Sequence, residues 1–183
     1  QSACQQNLLL KLDFKKIAAP ENASSQQFTI TSSDFLDKSF SPCGMAHLTY
    51  STLIAFKPSV FPGKKPQTVD DFFDLNSFPG KRGLRNSPGT VLEWALMASG
   101  VPVSQVYDLL STERGLRLAF KRLGTIREHI VWWETPDEAG QLLASNTVVM
   151  TSGYNGRFFD AQSPSNPLIM LWDGQIIDRS FWV

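Results

Sequence analysis

Polar side chains that could hold a small molecule stand at three points where a strand pattern gives way to a helix pattern. Ligands of open α/β sheets lie beyond the carboxyl ends of strands, where helix N-termini point. Guanidinium, hydroxyl and amide groups there suit a polar or anionic group, and aromatic faces beside a carboxylate suit an amine. For each junction the alternative is helix capping with core packing, but three junctions on one sheet edge favour a cleft. The residues are Arg85, Asn86, Ser87 and Thr90, then Glu134 and Thr135, then Tyr154, Asn155 and Arg157.

The sequence offers little for nucleophilic or metal-dependent catalysis. Its two histidines, His47 and His129, fall inside predicted strands, where we interpret them as structural. No nucleophile elbow, phosphate-binding loop, dinucleotide fingerprint or His-x-x-x-His pair occurs. The neighbouring carboxylates Asp70 and Asp71 fall in a predicted first helical turn, where they complement the helix dipole. We therefore expect no cofactor and no metal ion.

Composition and charge exclude several classes of partner. Lys and Arg total 17 and Asp and Glu total 17, so the formal net charge is zero. This balance argues against nucleic acid and against an anionic membrane surface. With 183 residues, of which 42% are hydrophobic, the chain can bury roughly 70% of its unfolded surface without a metal or a disulfide. Apolar runs such as Leu8–Leu10 are far shorter than the roughly 20 residues that span a bilayer.

The two cysteines, Cys4 and Cys43, allow two interpretations. They either form a disulfide, which requires an oxidising compartment, or remain separate buried thiols. If bonded, they would close a loop of about 40 residues, which stabilises by roughly 4 kcal/mol on the chain-entropy model. The chain lacks a starting Met and ends in a strand pattern at Ser180–Val183, so we expect a piece of a longer protein or a processed chain.

Strand and helix patterns alternate along the chain. They predict an α/β fold with a mixed, largely parallel sheet of about five strands and helices on both faces. Residues 18–44 are expected to be mostly irregular, and residues 152–156 to turn into a helix. Strands are predicted at 28–30, 46–56, 82–85, 129–133, 147–150, 168–171 and 175–183. Helices are predicted at 5–12, 68–75, 88–99, near 104, 112–126, 135–143 and 157–161. Ser87 is the expected N-cap of the helix at 88–99, and Gly100 its terminator. The helix at 112–126 has Leu116, Ala119, Phe120, Leu123 and Ile126 on one face.

Nine short segments between Tyr50 and Gly174 follow one another in a specific order. Four lie in the first half, at Tyr50–Phe56, Phe61–Pro66, Asp70–Asp74 and Phe78–Arg85. Five follow, at Trp132–Glu134, Gln141–Ala144, Val148–Ser152, Tyr154–Arg157 and Leu171–Gly174. In this combined order the sequence resembles the spermidine/putrescine-type family of periplasmic solute-binding proteins of ABC transporters, and the resemblance covers nearly the whole chain from about Gln5.

The resemblance implies a two-lobed, type II periplasmic binding fold that closes around its ligand. Residues 1–50 would be the tail of lobe one with the first crossing strand, residues 51–175 lobe two, and residues 176–183 a truncated return crossing. It also favours a disulfide between Cys4 and Cys43. The implied function is solute capture for a bacterial ABC importer, in the periplasm, with delivery to a membrane permease and without chemistry.

The resemblance also places the ligand contacts. Polyamine binders of the family have carboxylates where this chain has Ser87, Thr90 and Ser180. Desolvating a polycation without paired carboxylates is costly, and the Arg85 and Arg157 guanidinium groups add to that cost. A small polar solute is therefore expected, and a solute with a carboxylate or phosphate competes with a polyamine as the ligand. The implied contacts are Ser87, Thr90, Thr135, Tyr154 and Ser180, with Asp178 nearby.

Two other functions stay open at the level of sequence. One is a small α/β enzyme in which Glu134 or Asp178 acts as a base. It would need a complete cleft within these 183 residues. The other is the ligand-sensing domain of a signalling protein.

Overall fold

The computed structural model describes residues 2–13, 36 and 39–182. In this part of the chain the strands are β1 (Phe40–Ser41), β2 (Gly44–Phe56), β3 (Arg82–Arg85), β4 (Ile130–Trp133), β5 (Met150–Tyr154) and β6 (Ile169–Trp182). The α-helices are α1 (Ser2–Gln5), α2 (Val69–Phe73), α3 (Val91–Met97), α4 (Val106–Leu110), α5 (Glu113–Gly124), α6 (Pro136–Ala144) and α7 (Asn155–Ala161). Short 3₁₀ turns lie at Pro58–Val60, Val103–Gln105 and Arg127–His129.

The chain divides into two compact units. Unit 1 consists of Gln1–Thr49 and Asp178–Val183, and unit 2 consists of Tyr50–Ile177. Unit 2 contains most of the helices and strands. The assignment of chain segments to lobes of a two-lobed protein stays a prediction.

The strands form one mixed sheet in the order β1-β2-β5-β3-β4, with β6 also paired to β2. The pairs β3–β4 and β3–β5 are parallel, while β1–β2 and β2–β5 are antiparallel. The expected mixed α/β sheet is confirmed. The parallel strands require crossover connections, and these carry the helices α3 to α6 of unit 2.

Both faces of the unit 2 sheet are covered by helices, as expected. Residues 51–56 of β2 are buried without a break, which is typical of a strand between two helical layers. Ile54 and Phe56 pack into one apolar cluster with residues of α2, α3 and α5. Leu53 and Ala55 pack into a second cluster with residues of α6 and α7. Because side chains alternate along a strand, one short sequence supplies both layers.

A buried cation anchors the start of β3. Arg82 is fully buried, and burial lowers the pKa of its guanidinium to about 10. Its N–H groups donate to four backbone carbonyls, those of Phe72, Asp74, Phe78 and Gly80, over distances of 2.5 to 3.3 Å. These bonds compensate for the desolvation and tie the loop before β3 to the strand.

The first helix differs from the prediction. A helix was expected at 5–12, but α1 spans Ser2–Gln5 and then turns. Asn7 has a φ of 56°, and the N–H of Leu8 donates to the carbonyl of Ala3, while that of Asn7 donates to Cys4. These two hydrogen bonds are typical of a helix C-terminus that is closed by one residue in the left-handed conformation, which Asn adopts more readily than most residues. The predicted strand at 28–30 lies outside the described residues.

The loop before α3 also differs. Ser87 was predicted to cap a helix beginning at Pro88, but α3 begins at Val91 with Thr90 as its N-cap. Gly100 closes the segment as predicted, with a φ of 84° that glycine adopts without strain. The predicted Thr68–Asp71 capping box is present at the start of α2.

The last two strands are longer or later than predicted. A strand was expected at 147–150, but Thr147 still donates its N–H to Leu142 at the end of α6. The strand is instead β5, which includes Ser152–Tyr154, residues predicted to turn. The two strands predicted at 168–171 and 175–183 form the single strand β6, since Gly174, with a φ of 66°, bends it without ending it.

The apolar face predicted for α5 is only partly buried. Ala119, Leu123 and Ile126 are buried, whereas Leu116 and Phe120 are 37% and 62% exposed. His129 lies in an exposed 3₁₀ turn rather than in a strand. No helix in the described part of the chain is long and apolar enough to cross a membrane.

Unit 1 contains a disulfide bond. Cys4 and Cys43 are bonded, as the resemblance implied, with their Cα atoms 5.8 Å apart. Cys43 is buried between β1 and β2, and the N–H of Leu12 donates to the carbonyl of Pro42 at 2.8 Å. The bond thus joins the first helix to the β1–β2 hairpin.

Candidate functional site

The three polar junctions of the sequence share one edge of the unit 2 sheet. Strands β3, β4 and β5 are parallel, so their carboxyl ends lie on the same side. We call this side the carboxyl edge and define it as residues 85–90, 133–135 and 154–155. Along it, the end of β3 lies between the ends of β5 and β4.

Arg85 and Tyr154 form the centre of the carboxyl edge. The exposed Arg85 guanidinium donates from Nη1 to the Tyr154 hydroxyl oxygen at 2.7 Å. Its Cζ lies 5.9 Å from the centroid of the Tyr154 ring. Within the described residues no carboxylate pairs with Arg85. The phenol therefore orients a cation that has no acidic partner here.

Aromatic rings support this pair from two sides. The Tyr50 ring meets the Tyr154 ring edge to face, with centroids 5.2 Å apart. Trp133, which is buried, meets the same ring at 6.3 Å, and its indole nitrogen has no hydrogen-bond partner. Such packing restricts the rotamer of Tyr154 and so also fixes the direction of the Arg85 donor.

Asn86 joins the first junction to the second. Its backbone N–H donates to the Trp133 carbonyl at 2.8 Å, and its side-chain Nδ2 donates to Glu134 Oε1 at 3.3 Å. The Glu134 carboxylate is exposed and already accepts this bond. Ser87 is half-buried, and its N–H donates to the Arg85 carbonyl.

Thr90 has a strained backbone. Its φ is 69° and its ψ is −42°, a region that β-branched residues rarely occupy. Its hydroxyl caps no N–H of α3. Strain of this kind costs about 1–3 kcal/mol and is concentrated at functional sites. The loop therefore holds Thr90 in a conformation that the helix itself does not require.

Thr135 is occupied by a local network at the start of α6. Its hydroxyl donates to Glu138 Oε1 at 2.7 Å, and the Glu134 N–H donates to Oε2 of the same carboxylate at 3.0 Å. The hydrogen bond from the Thr135 hydroxyl, and next the one from the Glu134 N–H, hold the pKa of the Glu138 carboxyl below its ordinary value. Thr135 is thus oriented by Glu138.

Asn155 and Arg157 are held in different directions. The side-chain oxygen of Asn155 accepts the N–H of Ser51 at 3.0 Å, next to the carboxyl edge. Arg157 instead extends to Asp137 of α6, with Nη1 3.4 Å from Oδ1. Both residues of this ion pair line a groove of about 300 Å³ between α6 and α7. Arg157 therefore does not join Arg85.

The remaining two candidates, Asp178 and Ser180, belong to unit 1. Ser180 is half-buried, and its Oγ lies 3.0 Å from Nε2 of His47 on β2. The His47 ring is exposed, and it stacks on Trp182 with centroids 4.7 Å apart and planes 12° apart. Asp178 is exposed on the same strand.

Sequence reasoning missed several residues that shape these sites. Glu138 stands three residues after Thr135, a spacing that signals a capping box and could have been recognised. Tyr50 and His47 carry no such local signal, because their roles depend on partners more than 100 residues away. Among the described residues, no group of three or more His, Cys, Asp or Glu side chains could hold a metal ion.

Comparison with known proteins identifies the family. The sequence model for bacterial extracellular solute-binding proteins matches residues 1–183. The chain belongs to this family. Since its relatives are described as binding proteins or receptors, the solute-binding family is not enzymatic. The enzyme interpretation based on Glu134 or Asp178 therefore has no support.

Relatives within the solute-binding family bind several small polar molecules. The γ-aminobutyric acid-binding protein of Pseudomonas aeruginosa is 34% identical over 179 residues, which are 98% of this chain and 47% of that protein. The binding protein MotA of Agrobacterium tumefaciens B6, solved with glucopine, has a TM-score of 0.70 and 33% identity over 77% of this chain and 44% of its own. The γ-aminobutyric acid receptor Atu4243 has a TM-score of 0.78 and 28% identity over 98% of this chain and 50% of its own.

The narrower resemblance to spermidine/putrescine binders is not supported. A spermidine/putrescine-binding protein of Streptococcus pneumoniae is 17% identical, with a TM-score of 0.63 over 93% of this chain and 49% of its own. That likeness shows a shared fold alone. The chain spans about half the length of the relatives that it matches.

Proposed function

We propose that this protein is the solute-binding subunit of an ABC importer, and that it captures a small polar solute carrying a carboxylate. It would then deliver this solute, unchanged, to a membrane permease on the outer side of the membrane. Family membership supports the general role. Unit 2 would be one lobe of a two-lobed protein, and its carboxyl edge would supply ligand contacts.

The Arg85 guanidinium is the observation that supports a carboxylate ligand. It is exposed, it is oriented by the Tyr154 hydroxyl at 2.7 Å, and no acidic residue of the described chain neutralises it. A guanidinium that is already oriented can form hydrogen bonds with a carboxylate. Its side chain then loses little further conformational entropy on binding. The same cation would repel a polyamine. Glu134, the nearby carboxylate, is bound to Asn86.

The neighbouring polar groups fit the same ligand. Ser87 and Thr90 have hydroxyl groups where a polyamine site would need carboxylates. The strain at Thr90 supports a role for its side chain beyond helix capping. The aromatic rings of Tyr50 and Tyr154 provide apolar contact for a short carbon chain.

Calorimetry on the full-length protein tests this proposal. γ-Aminobutyric acid and putrescine are a matched pair, because they share an ammonium group and differ chiefly in carboxylate against ammonium at the other end. We expect γ-aminobutyric acid or another carboxylate in a panel of amino acids and organic acids to bind, and putrescine to bind far more weakly. Tighter binding of putrescine, or no binding of any carboxylate in the panel, would contradict the proposal.

A further inference from the structure

The first turn of α3 contains two polar groups with unused hydrogen-bonding capacity. Thr90 is the N-cap of this helix, but its hydroxyl accepts no N–H of the helix. Glu93 stands three residues later and is only 9% exposed, and its Oε2 has no hydrogen-bond partner within the described residues. A buried polar atom without a partner destabilises the folded state, because it has lost its bonds to water. The solute contacts proposed above do not account for the Glu93 carboxyl group.

Thr90 and Glu93 have the spacing of a capping box. In this motif the N-cap hydroxyl accepts the N–H of the residue three positions later, and the side chain of that residue accepts the N-cap N–H. The protein forms this motif at α2, where Thr68 is the extended N-cap, with a φ of −132° and a ψ of 162°, and Asp71 is its partner. At α3, Thr90 has a φ of 69° and a ψ of −42° instead. The Thr90–Glu93 box, which we call the α3 box, is therefore open in this structure.

Closing the α3 box would exchange few interactions. Thr90 would move to the extended region, and its backbone strain would be relieved. The Glu93 N–H would donate to the Thr90 hydroxyl oxygen, and the Thr90 N–H would donate to the Glu93 carboxyl group. The hydrogen bond from the Leu92 N–H to the Pro88 carbonyl, which is 3.1 Å long and encloses Thr90, would be lost. Closing thus forms two hydrogen bonds and breaks one.

The contacts of Asn86 oppose this movement when no solute is bound. Its N–H donates to the Trp133 carbonyl at 2.8 Å, and its Nδ2 donates to Glu134 Oε1 at 3.3 Å. These bonds hold the start of the loop against the end of β4. Interactions of similar kind thus favour the open and the closed box, and one further hydrogen bond can decide between them.

A solute carboxylate would favour the closed box. Arg85 and Thr90 belong to the same segment, 85–90, of the carboxyl edge. When the Thr90 oxygen accepts the Glu93 N–H, the hydroxyl proton is left to be donated, and a carboxylate beside Arg85 is an acceptor for it. A ligand that binds one of two conformations better shifts the population toward that conformation.

We propose that Glu93 is a positioning residue: when a carboxylate-bearing solute is captured, Glu93 closes the α3 box with Thr90 and orients the Thr90 hydroxyl toward the carboxylate. Glu93 itself does not touch the solute. This inference rests on the proposed function and adds a residue to the same site. The backbone strain of Thr90 is released on capture, and this release contributes to the affinity.

The first experiment needs no solute and compares the urea unfolding midpoints of full-length variants. Glu93→Met keeps an unbranched buried side chain but removes both carboxyl oxygens. Because the α3 box is open in the free protein, we expect this variant to unfold at a higher urea concentration than the wild type. Asp71→Leu is the shape-matched control at the closed box of α2, where Asp71 Oδ2 accepts the Thr68 N–H at 3.0 Å, and its midpoint should fall. An unchanged or lower midpoint for Glu93→Met would overturn the proposal.

The second experiment measures affinity by calorimetry with γ-aminobutyric acid, or with the tightest-binding carboxylate of the panel if γ-aminobutyric acid does not bind. We expect Glu93→Met to bind about threefold to tenfold more weakly than the wild type, although it is more stable. Glu93→Gln should bind within about twofold of the wild type, since a glutamine side chain also closes a capping box. Equal affinities of Glu93→Met and the wild type, or equal losses in the two variants, would contradict the role of Glu93.

A Thr90→Val background shows whether Glu93 acts through Thr90. Valine keeps the branched shape but cannot form the box, so Glu93→Met should cause no further loss of affinity there. A full loss in this background would mean that Glu93 affects binding by another route, which contradicts the proposal. If no carboxylate of the panel binds the wild type, the proposed function fails. If one binds and Glu93→Met does not weaken it, this inference alone fails.

Discussion

At the scale of single residues, Arg85 makes the sharpest prediction. Arg85→Met removes the oriented cation but keeps an unbranched apolar stem. A hydrogen bond to a charged group contributes about 1.5–3 kcal/mol, so carboxylate affinity should fall about tenfold to a hundredfold. Calorimetry at constant ionic strength measures the loss. Arg117→Met is the matched control, because Arg117 is exposed on α5 and pairs with Glu113 at 2.9 Å. Equal losses in the two variants would show a general charge effect instead.

Thr90 allows the strain argument to be tested. Thr90→Gly relieves a φ of 69° and also removes the hydroxyl. We expect the free energy of unfolding to rise by about 1 kcal/mol, while affinity for the solute falls roughly threefold to tenfold. Denaturant unfolding and calorimetry measure the two changes.

Thr112→Gly is the control for Thr90→Gly. Thr112 is also an N-cap, but its φ is −114° and its hydroxyl accepts the N–H of Gly115. This substitution should lower stability by a few tenths of a kcal/mol. If Thr90→Gly also destabilised the protein, the backbone at Thr90 would not be strained in solution.

The sequence could identify residue types at the carboxyl edge but not their pairing. The parallel strand pattern was sufficient to predict that the three junctions share an edge. It could not show that Arg157 turns to Asp137 instead of Arg85, because that depends on the packing of α6 against α7. The sequence also could not show that His47 is exposed. A strand pattern does not reveal which of its side chains the neighbouring strands and helices cover.

At the scale of elements, the start of α6 links local structure to pH. Because the pKa of Glu138 is lowered from its ordinary value of 4.5, the charged form favours the folded state. This contribution is complete above pH 4.5 and is lost as the pH falls through the folded-state pKa. Glu138→Gln should therefore be less stable than the wild type at pH 7, and the difference should shrink at pH 3.

Denaturant unfolding at the two pH values tests this prediction for α6. Glu128→Gln, at an exposed position outside α6, provides a reference with the same change of charge. A stability difference for Glu138→Gln that is independent of pH would contradict the role of the carboxylate. Loss of the capping contacts should also leave Thr135 free to rotate, and solute affinity should then fall with stability.

Element boundaries were predicted best where a local signal fixed them. The strand at Arg82–Arg85 and the capping box of α2 follow from the sequence alone. The end of α1 and the start of β5 were not predicted correctly. Asn7 and Asn146 adopt left-handed backbone conformations that end a helix, and the hydrophobic pattern does not reveal these conformations. A strand such as Met150–Tyr154, buried and rich in small residues, is easily mistaken for a turn.

At the scale of the whole molecule, the two units are stabilised differently. Both apolar clusters lie within unit 2, where strands and helices bury large side chains. Among the described residues of unit 1, the buried ones are Ser39, Cys43 and Gly44. In the described part of this unit, the disulfide therefore contributes more than a hydrophobic core does. An extracellular location, which the family implies, supplies the oxidising conditions that its disulfide requires.

The disulfide should consequently stabilise unit 1 far more than unit 2. The bond joins residues 39 positions apart, and closing such a loop contributes up to about 4 kcal/mol on the chain-entropy model. In Cys4→Ser/Cys43→Ser, we expect hydrogen exchange to accelerate at Leu12 and along the β1–β2 hairpin, where backbone bonds connect the bridged segments. Amides of β3 and β4 serve as the internal reference, because buried side chains of unit 2 protect them. An equal loss of protection in both sets of amides would mean that the bond stabilises the fold as a whole, and that the two units do not differ in this way.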